Sequence, residues 1–186
     1  MDNLILLPKN QEFEELSAKL GFSRTLFLET DAVIIEAKTK KELLLKTNRA
    51  VSKKLLTLYK PPTEDLLRFA LEKTPISMVL GIEHIHPKES THFVRGGLDQ
   101  VLCKIAAEKE KTIAFPFSNI LNSPQRSKLL ARMMFNIKLC KKYKVKVFFS
   151  NFSHEKMEMR SARDLLSFWN VLGGAGKRCL EIQKQS

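Results

Sequence analysis

Leu98-Asp-Gln-Val-Leu-Cys-Lys-Ile-Ala-Ala107 leads into Thr112-Ile-Ala-Phe-Pro-Phe117 and then, after a long polar and apolar stretch, Val145-Lys-Val-Phe-Phe-Ser150. In the first block Leu98, Val101, Leu102, Ile105 and Ala106 recur at the spacing of one helical face. The other two are short apolar runs of strand length, the first closed by Pro116. Between them, Ser123-Pro124 is expected to start a long helix whose buried stripe is Leu130, Met134 and Ile137. Strands with consecutive apolar residues, each followed by a helix, predict parallel strands covered by helices on their outer side.

The same alternation runs through the rest of the chain. Strand candidates are Asn3–Leu7, Thr25–Leu28, Val33–Ala37, Leu55–Tyr59 and Ser77–Gly81. Helices are expected over Glu12–Leu20, stopped by Gly21, and after the caps Thr39, Thr63 and Ser161, with Glu42 as the capping-box partner of Thr39. About seven strands result, so the fold expectation is an α/β, TIM-barrel-like (β/α) barrel rather than an open doubly wound sheet. The chain is short beside the roughly 250 residues of an eight-unit barrel, so the barrel is expected to be incomplete. No glycine-rich phosphate-binding signature follows any strand.

The 186 residues, 44% apolar and 28% charged, fit one domain spanning 1–186. No apolar run approaches the roughly 20 residues of a membrane span, and the N-terminus lacks signal-peptide regions, so a cytoplasmic protein is expected. Cys103, Cys140 and Cys179 form no metal-binding or redox pair and read as buried thiols.

The net charge of +12 is unevenly spread: residues 1–93 hold 14 Lys+Arg against 13 Asp+Glu, and residues 94–186 hold 18 against 7. Such an excess attracts a polyanion by counterion release, which puts nucleic acid ahead of an anionic membrane, for which no exposed apolar face is evident. A solvated basic surface is the plain alternative. On the long helix, Lys128 and Arg132 are four apart and Lys138, Lys141 and Lys142 are grouped, which predicts a basic solvent face that also includes Arg126. Arg95 precedes Gly96-Gly97 and a helix start, where a guanidinium and free amides are placed to share a phosphate.

Two kinds of catalytic site have candidate residues in the sequence. His84, His86 and nearby His92 suggest a metal site, because an H-x-H after a strand puts two imidazoles on one side. A metal-dependent phosphoesterase or nuclease also needs ligands from other strand ends, where Glu29, Asp31, Glu36 and His154 are the candidates. Ser118, Ser150 and Ser153 lie near strand ends without a nucleophile elbow, so structural roles are expected for them.

Six blocks carry a resemblance: Leu20-Gly-Phe22, Ile35-Glu-Ala-Lys-Thr-Lys-Lys-Glu-Leu43, Arg95-Gly-Gly-Leu-Asp-Gln-Val-Leu-Cys-Lys104, Ile113-Ala-Phe-Pro-Phe-Ser118, Cys140-Lys-Lys-Tyr-Lys-Val145 and Met159-Arg-Ser-Ala-Arg-Asp-Leu-Leu166. In order and spacing they resemble the archaeal ribonuclease P protein component 3 family, which is related to a protein subunit of the eukaryotic enzyme. Pro61-Pro62 and the loop from Gly81 to His92 depart from the family pattern. The resemblance implies a barrel similar to the polymerase and histidinol phosphatase phosphoesterases, without their complete metal site. It implies a tRNA-processing ribonucleoprotein, an endoribonuclease that removes the 5′ leader from precursor tRNA, in which RNA and its Mg²⁺ perform the hydrolysis. The implied partners are ribonuclease P RNA, protein component 2, other ribonuclease P protein subunits and precursor tRNA. The implied cofactor is Mg²⁺ held with the RNA and none held by the protein. Carried onto matching positions, the implied RNA-binding residues are Lys38, Arg95, Lys104, Arg160 and Arg163. Arg126 and Arg132 join them on local charge alone. A basic scaffold that binds only another protein is a third reading.

Overall fold

The computed structural model describes residues 1–86, 94–176, 179, 181 and 182. Seven strands alternate with helices: β1 Asp2–Ile5, β2 Arg24–Phe27, β3 Ala32–Ile35, β4 Leu56–Tyr59, β5 Met78–Leu80, β6 Thr112–Pro116 and β7 Lys146–Ser150. The helices are α1 Gln11–Lys19, α2 Lys40–Ser52, α3 Glu64–Lys73, α4 Gln100–Glu108, α5 Phe117–Asn122, α6 Arg126–Tyr143 and α7 Ala162–Val171.

All strand pairs are parallel, in two sheets: β1 with β2, and β3 to β7 in chain order. The sheets meet through single bridges, Ile5 with Ser153 and Leu28 with Ala32, and the Leu6 amide donates to the Ser153 carbonyl at 2.9 Å. The parallel α/β expectation is met, and the sheet is not closed: no continuous ladder joins the two sheets. One physical reason is the link from β2 to β3. It is the four-residue stretch Leu28–Asp31, with Glu29 at φ +67° and no helix, where other successive strands are joined through helices.

β1, β5 and β6 are buried on both faces, and the other strands in part, which is why their sequences read as continuous apolar runs. Leu4, Leu58, Met78, Ala114 and Phe148 fill the inner side. Ile35, Tyr59, Val79, Ile113 and Phe149 face the helices, meeting Leu67, Leu102, Met133 and Cys140. Trp169 of α7 lies with its ring 5.5 Å from Phe149 and 6.1 Å from Phe115. Burial of side chains this size stabilises each by roughly 1.5–3 kcal/mol relative to exposure.

Helix starts follow their caps. The Oγ1 of Thr39 accepts from the Glu42 amide at 3.2 Å, that of Thr63 from Leu66 at 3.4 Å, and Ser161 Oγ from Asp164 at 3.1 Å. Glu42 returns its carboxylate to the Lys38 amide at 3.0 Å, one residue before the cap. Asp99 caps α4 through the Leu102 amide at 2.7 Å. Two expectations for the second half need correction. The long helix α6 begins at Arg126, and α5 fills the space before it, because Phe117 and Ile120 turn inward directly after β6. The buried stripe of α6 is Leu129, Met133, Ile137 and Cys140; Met134 is 46% exposed.

Candidate nucleic-acid interface

In parallel sheets every strand-to-helix connection emerges at the same end, the carboxyl end of the strands. Lys38 precedes α2, Arg95 precedes α4, Arg126 opens α6, and Arg160 and Arg163 flank the cap of α7. Five of the seven expected RNA-binding residues therefore share one rim. Lys38, Arg95, Arg126 and Arg163 are exposed and Arg160 is half-buried. Lys104 is exposed on the second turn of α4, outside the rim. The lysines that close α6, Lys141 and Lys142, lie at the opposite end of the strands.

Several of these cations are held by the fold. Arg160 donates through Nη1 to the carbonyls of Met157 and Met159 at 2.8 and 2.9 Å, with its guanidinium 5.9 Å from the Phe117 ring centre. Its backbone amide donates to Asn151 Oδ1 at 2.8 Å. Asn151 in turn reaches Asn3 Oδ1 at 3.0 Å, which joins this loop to β1. Arg126 donates to the Leu121 carbonyl at 2.7 Å and so ties α6 to α5.

Arg132 departs from its expected place on the solvent face. It is only 4% exposed, and its Nη1 donates to the Glu83 carbonyl at 2.6 Å. Its spacing from Lys128 matches a basic face, but the buried stripe of α6 is broad enough to include it. Lys60, which no sequence pattern singled out, is exposed at the end of β4 and lies along Gly81.

Carboxylates on the same rim are partly withdrawn from it. Glu83 is 1% exposed beside Lys60, Asn119 and Arg132, and burial pushes its carboxyl up to about 6. Glu158 is buried too. Burial works against its charge, yet the Asn122 side chain at 2.5 Å and the His154 amide at 2.6 Å hold its carboxyl below the usual range. Asp99 and Asp164 are engaged at helix starts.

The histidine cluster is not assembled as an H-x-H on a strand would place it. Ile82–His84 forms a 3-10 turn, so His84 and His86 do not share one face of an extended segment. Partial desolvation of the His84 ring, followed by the charges of Lys60 and Arg132, lowers its pKa, although the residue as a whole keeps solvent contact. His86 Nε2 is 3.6 Å from Glu64 Oε2. His92 lies outside the described residues. Among the described residues no group of three His, Cys, Asp or Glu side chains is arranged to hold a metal ion.

Two of the three strand-end serines have structural hydrogen bonds, while the Ser153 hydroxyl is buried with no hydrogen-bond partner among the described residues. Ser118 Oγ donates to the Phe152 carbonyl at 2.7 Å, and Ser150 Oγ accepts from the Leu4 amide at 3.1 Å. Cys103, Cys140 and Cys179 are buried thiols. No helix among the described residues is long and apolar enough to cross a membrane.

Fold and rim together define a parallel α/β protein that presents cations at the carboxyl ends of its strands. No family model matches the chain. In sequence it is similar to ribonuclease P protein component 3 of Methanosarcina barkeri, 33% identical over 87 residues, which cover 46% of this chain and 36% of that protein. The match thus spans about a third of the relative's length. In fold it is similar to a chain in the cryo-EM structure of archaeal ribonuclease P with mature tRNA, with TM-score 0.71 and 22% identity over 93% of this chain and 74% of that one. A crystal structure of an uncharacterized protein matches at TM-score 0.54 and 11% identity, over 87% of this chain and 42% of that one. The chain thus resembles the component 3 family in sequence and is similar in fold to a chain of the archaeal complex.

Proposed function

We propose that this chain is a protein subunit of a ribonuclease P ribonucleoprotein, binding and stabilising the catalytic RNA during removal of the 5′ leader from precursor tRNA. The observation that carries the reading is the rim of Lys38, Arg95, Arg126, Arg160 and Arg163 on a fold similar to a chain of the archaeal complex. Cations fixed on one end of a rigid sheet screen phosphate repulsion between RNA segments and set the orientation of the backbone. In this reading the partners are ribonuclease P RNA, protein component 2, the other protein subunits and precursor tRNA. Hydrolysis belongs to the RNA and its Mg²⁺. The seven strands then form an incomplete TIM-like barrel whose wall is interrupted between the two sheets.

A metal-dependent phosphoesterase has less support, because His84 and His86 do not converge with further ligands among the described residues. The deciding experiment measures precursor-tRNA cleavage by the cognate ribonuclease P RNA at low Mg²⁺, with and without this protein and component 2. Cleavage that needs the RNA and rises with the protein pair is the expected result. Metal-dependent cleavage by the purified protein alone would overturn the reading.

A further inference from the structure

The interrupted wall exposes a strand edge. β3 pairs with β4 on one side, while on the other only Ala32 makes a bridge, to Leu28. Because Leu28–Asp31 replaces a crossover helix, no helix of this connection covers that edge. A groove of about 380 Å³ runs along it, lined by the consecutive residues Val33, Ile34, Ile35 and Glu36 and floored by Ala50 and Leu55. Three consecutive residues of one strand, Val33 to Ile35, can all line a groove only where the groove meets the strand's backbone edge, since alternate side chains point to opposite faces.

The far wall is a cationic stripe of α2. Lys46, Arg49 and Lys53 recur at helical spacing along the groove. Lys46 pairs with Glu42 and caps the Glu36 carbonyl at 2.7 Å. Among the described residues Arg49 and Lys53 have no carboxylate partner. This wall belongs to the half of the sequence whose charges nearly cancel, 14 against 13. The local charge of the wall, Arg49 and Lys53 against Glu36, is matched to a short acidic segment.

We infer that the β3 edge is a docking site for an extended, acidic segment of a protein partner, which adds a strand beside Val33–Ile35 and sets its carboxylates against Arg49 and Lys53. Main-chain hydrogen bonds supply affinity and alternate side chains supply specificity in such strand addition. The three residues of free edge span about 10 Å. The inference goes beyond the ribonuclease P reading and does not depend on it.

The test uses fluorescein-labelled 12-residue peptides with the full protein, read by anisotropy: alternating Val and Glu, the same with Lys for Glu, and the Val-Glu peptide with alternate amides N-methylated. A 12-nucleotide RNA is the fourth probe. The acidic peptide is expected to saturate, with the methylated one at least about tenfold weaker and the Lys peptide silent. The R49E/K53E protein, checked for an unchanged melting curve, is expected to exchange the Glu peptide for the Lys peptide. Equal binding of the methylated peptide overturns strand addition without recourse to any variant. RNA binding lost in R49E/K53E while the acidic peptide fails to bind makes the wall an RNA contact and overturns the proposal. So does self-association of the protein that R49E/K53E abolishes, which makes a second copy the occupant, and so does absence of binding by every probe. No arm uses ribonuclease P RNA or cleavage, so failure here is separate from failure of the subunit reading.

Discussion

The Nη1 of Arg132 donates to the carbonyl of Glu83 at 2.6 Å, which fastens the interior of α6 to the turn that follows β5. A buried guanidinium with a backbone acceptor is a structural tie, and loss of one partner exposes the other's desolvation cost. Arg132→Met is expected to lower unfolding free energy by roughly 2–4 kcal/mol, with RNA affinity unchanged once the protein is folded. Urea denaturation and RNA titration of the same sample decide it. A stable variant with weakened RNA binding would return Arg132 to the interface.

Glu83 gives a pH dependence opposite to that of a salt-bridged carboxylate. An ordinary glutamate releases its proton near 4.5 and the folded Glu83 near 6. Between those values the folded state holds more protons than the unfolded one, so this group's contribution falls as pH rises and is fully lost above about 6. The ionised form then costs on the order of 2 kcal/mol at neutral pH. Glu83→Gln should be more stable than the parent at pH 7 and no more stable at pH 4, as read from urea midpoints across that range. A difference that is constant with pH sinks the assignment.

Much of this architecture is legible from local chemistry. Thr39, Thr63 and Ser161 mark helix starts that the fold uses, and the apolar runs at Thr112 and Val145 fall on β6 and β7. Periodicity fails where one residue of rotation matters: Met133 and Met134 are equivalent in the sequence, and only packing against β6 and β7 decides which is buried. Arg132 is hidden for the same reason, since a charge at helical spacing reads as solvent-facing until a carbonyl is found within reach. Barrel closure is also beyond local patterns, because it depends on how strands distant in sequence are staggered. Resemblance and local charge pick out the five rim cations only singly. Their placement on one end became visible only once every strand was known to be parallel.

Gly97 is required by a close approach. Its φ is +93°, and a Cβ there would collide with the Ile82 carbonyl oxygen. The contact fixes the start of α4, and with it Arg95, against the turn after β5. Gly97→Ala is expected to cost about 2–4 kcal/mol by combining backbone strain with that collision. Thermal or urea unfolding measures it, and an unchanged midpoint would show that the loop adapts.

The rim cations should be separable from the buried arginine by salt. A side chain that contacts one phosphate contributes about one unit to the slope of log affinity against log salt concentration. Arg95→Ala and Arg163→Ala, both on exposed positions, should each weaken binding to ribonuclease P RNA and reduce the slope by about one. Lys141→Ala, at the opposite end of the strands, should leave the slope unchanged. Titrations from low to physiological salt with the three variants test the placement directly. Equal slope losses at Lys141 and Arg95 would mean that the RNA reads overall charge and that the carboxyl-end rim has no special role.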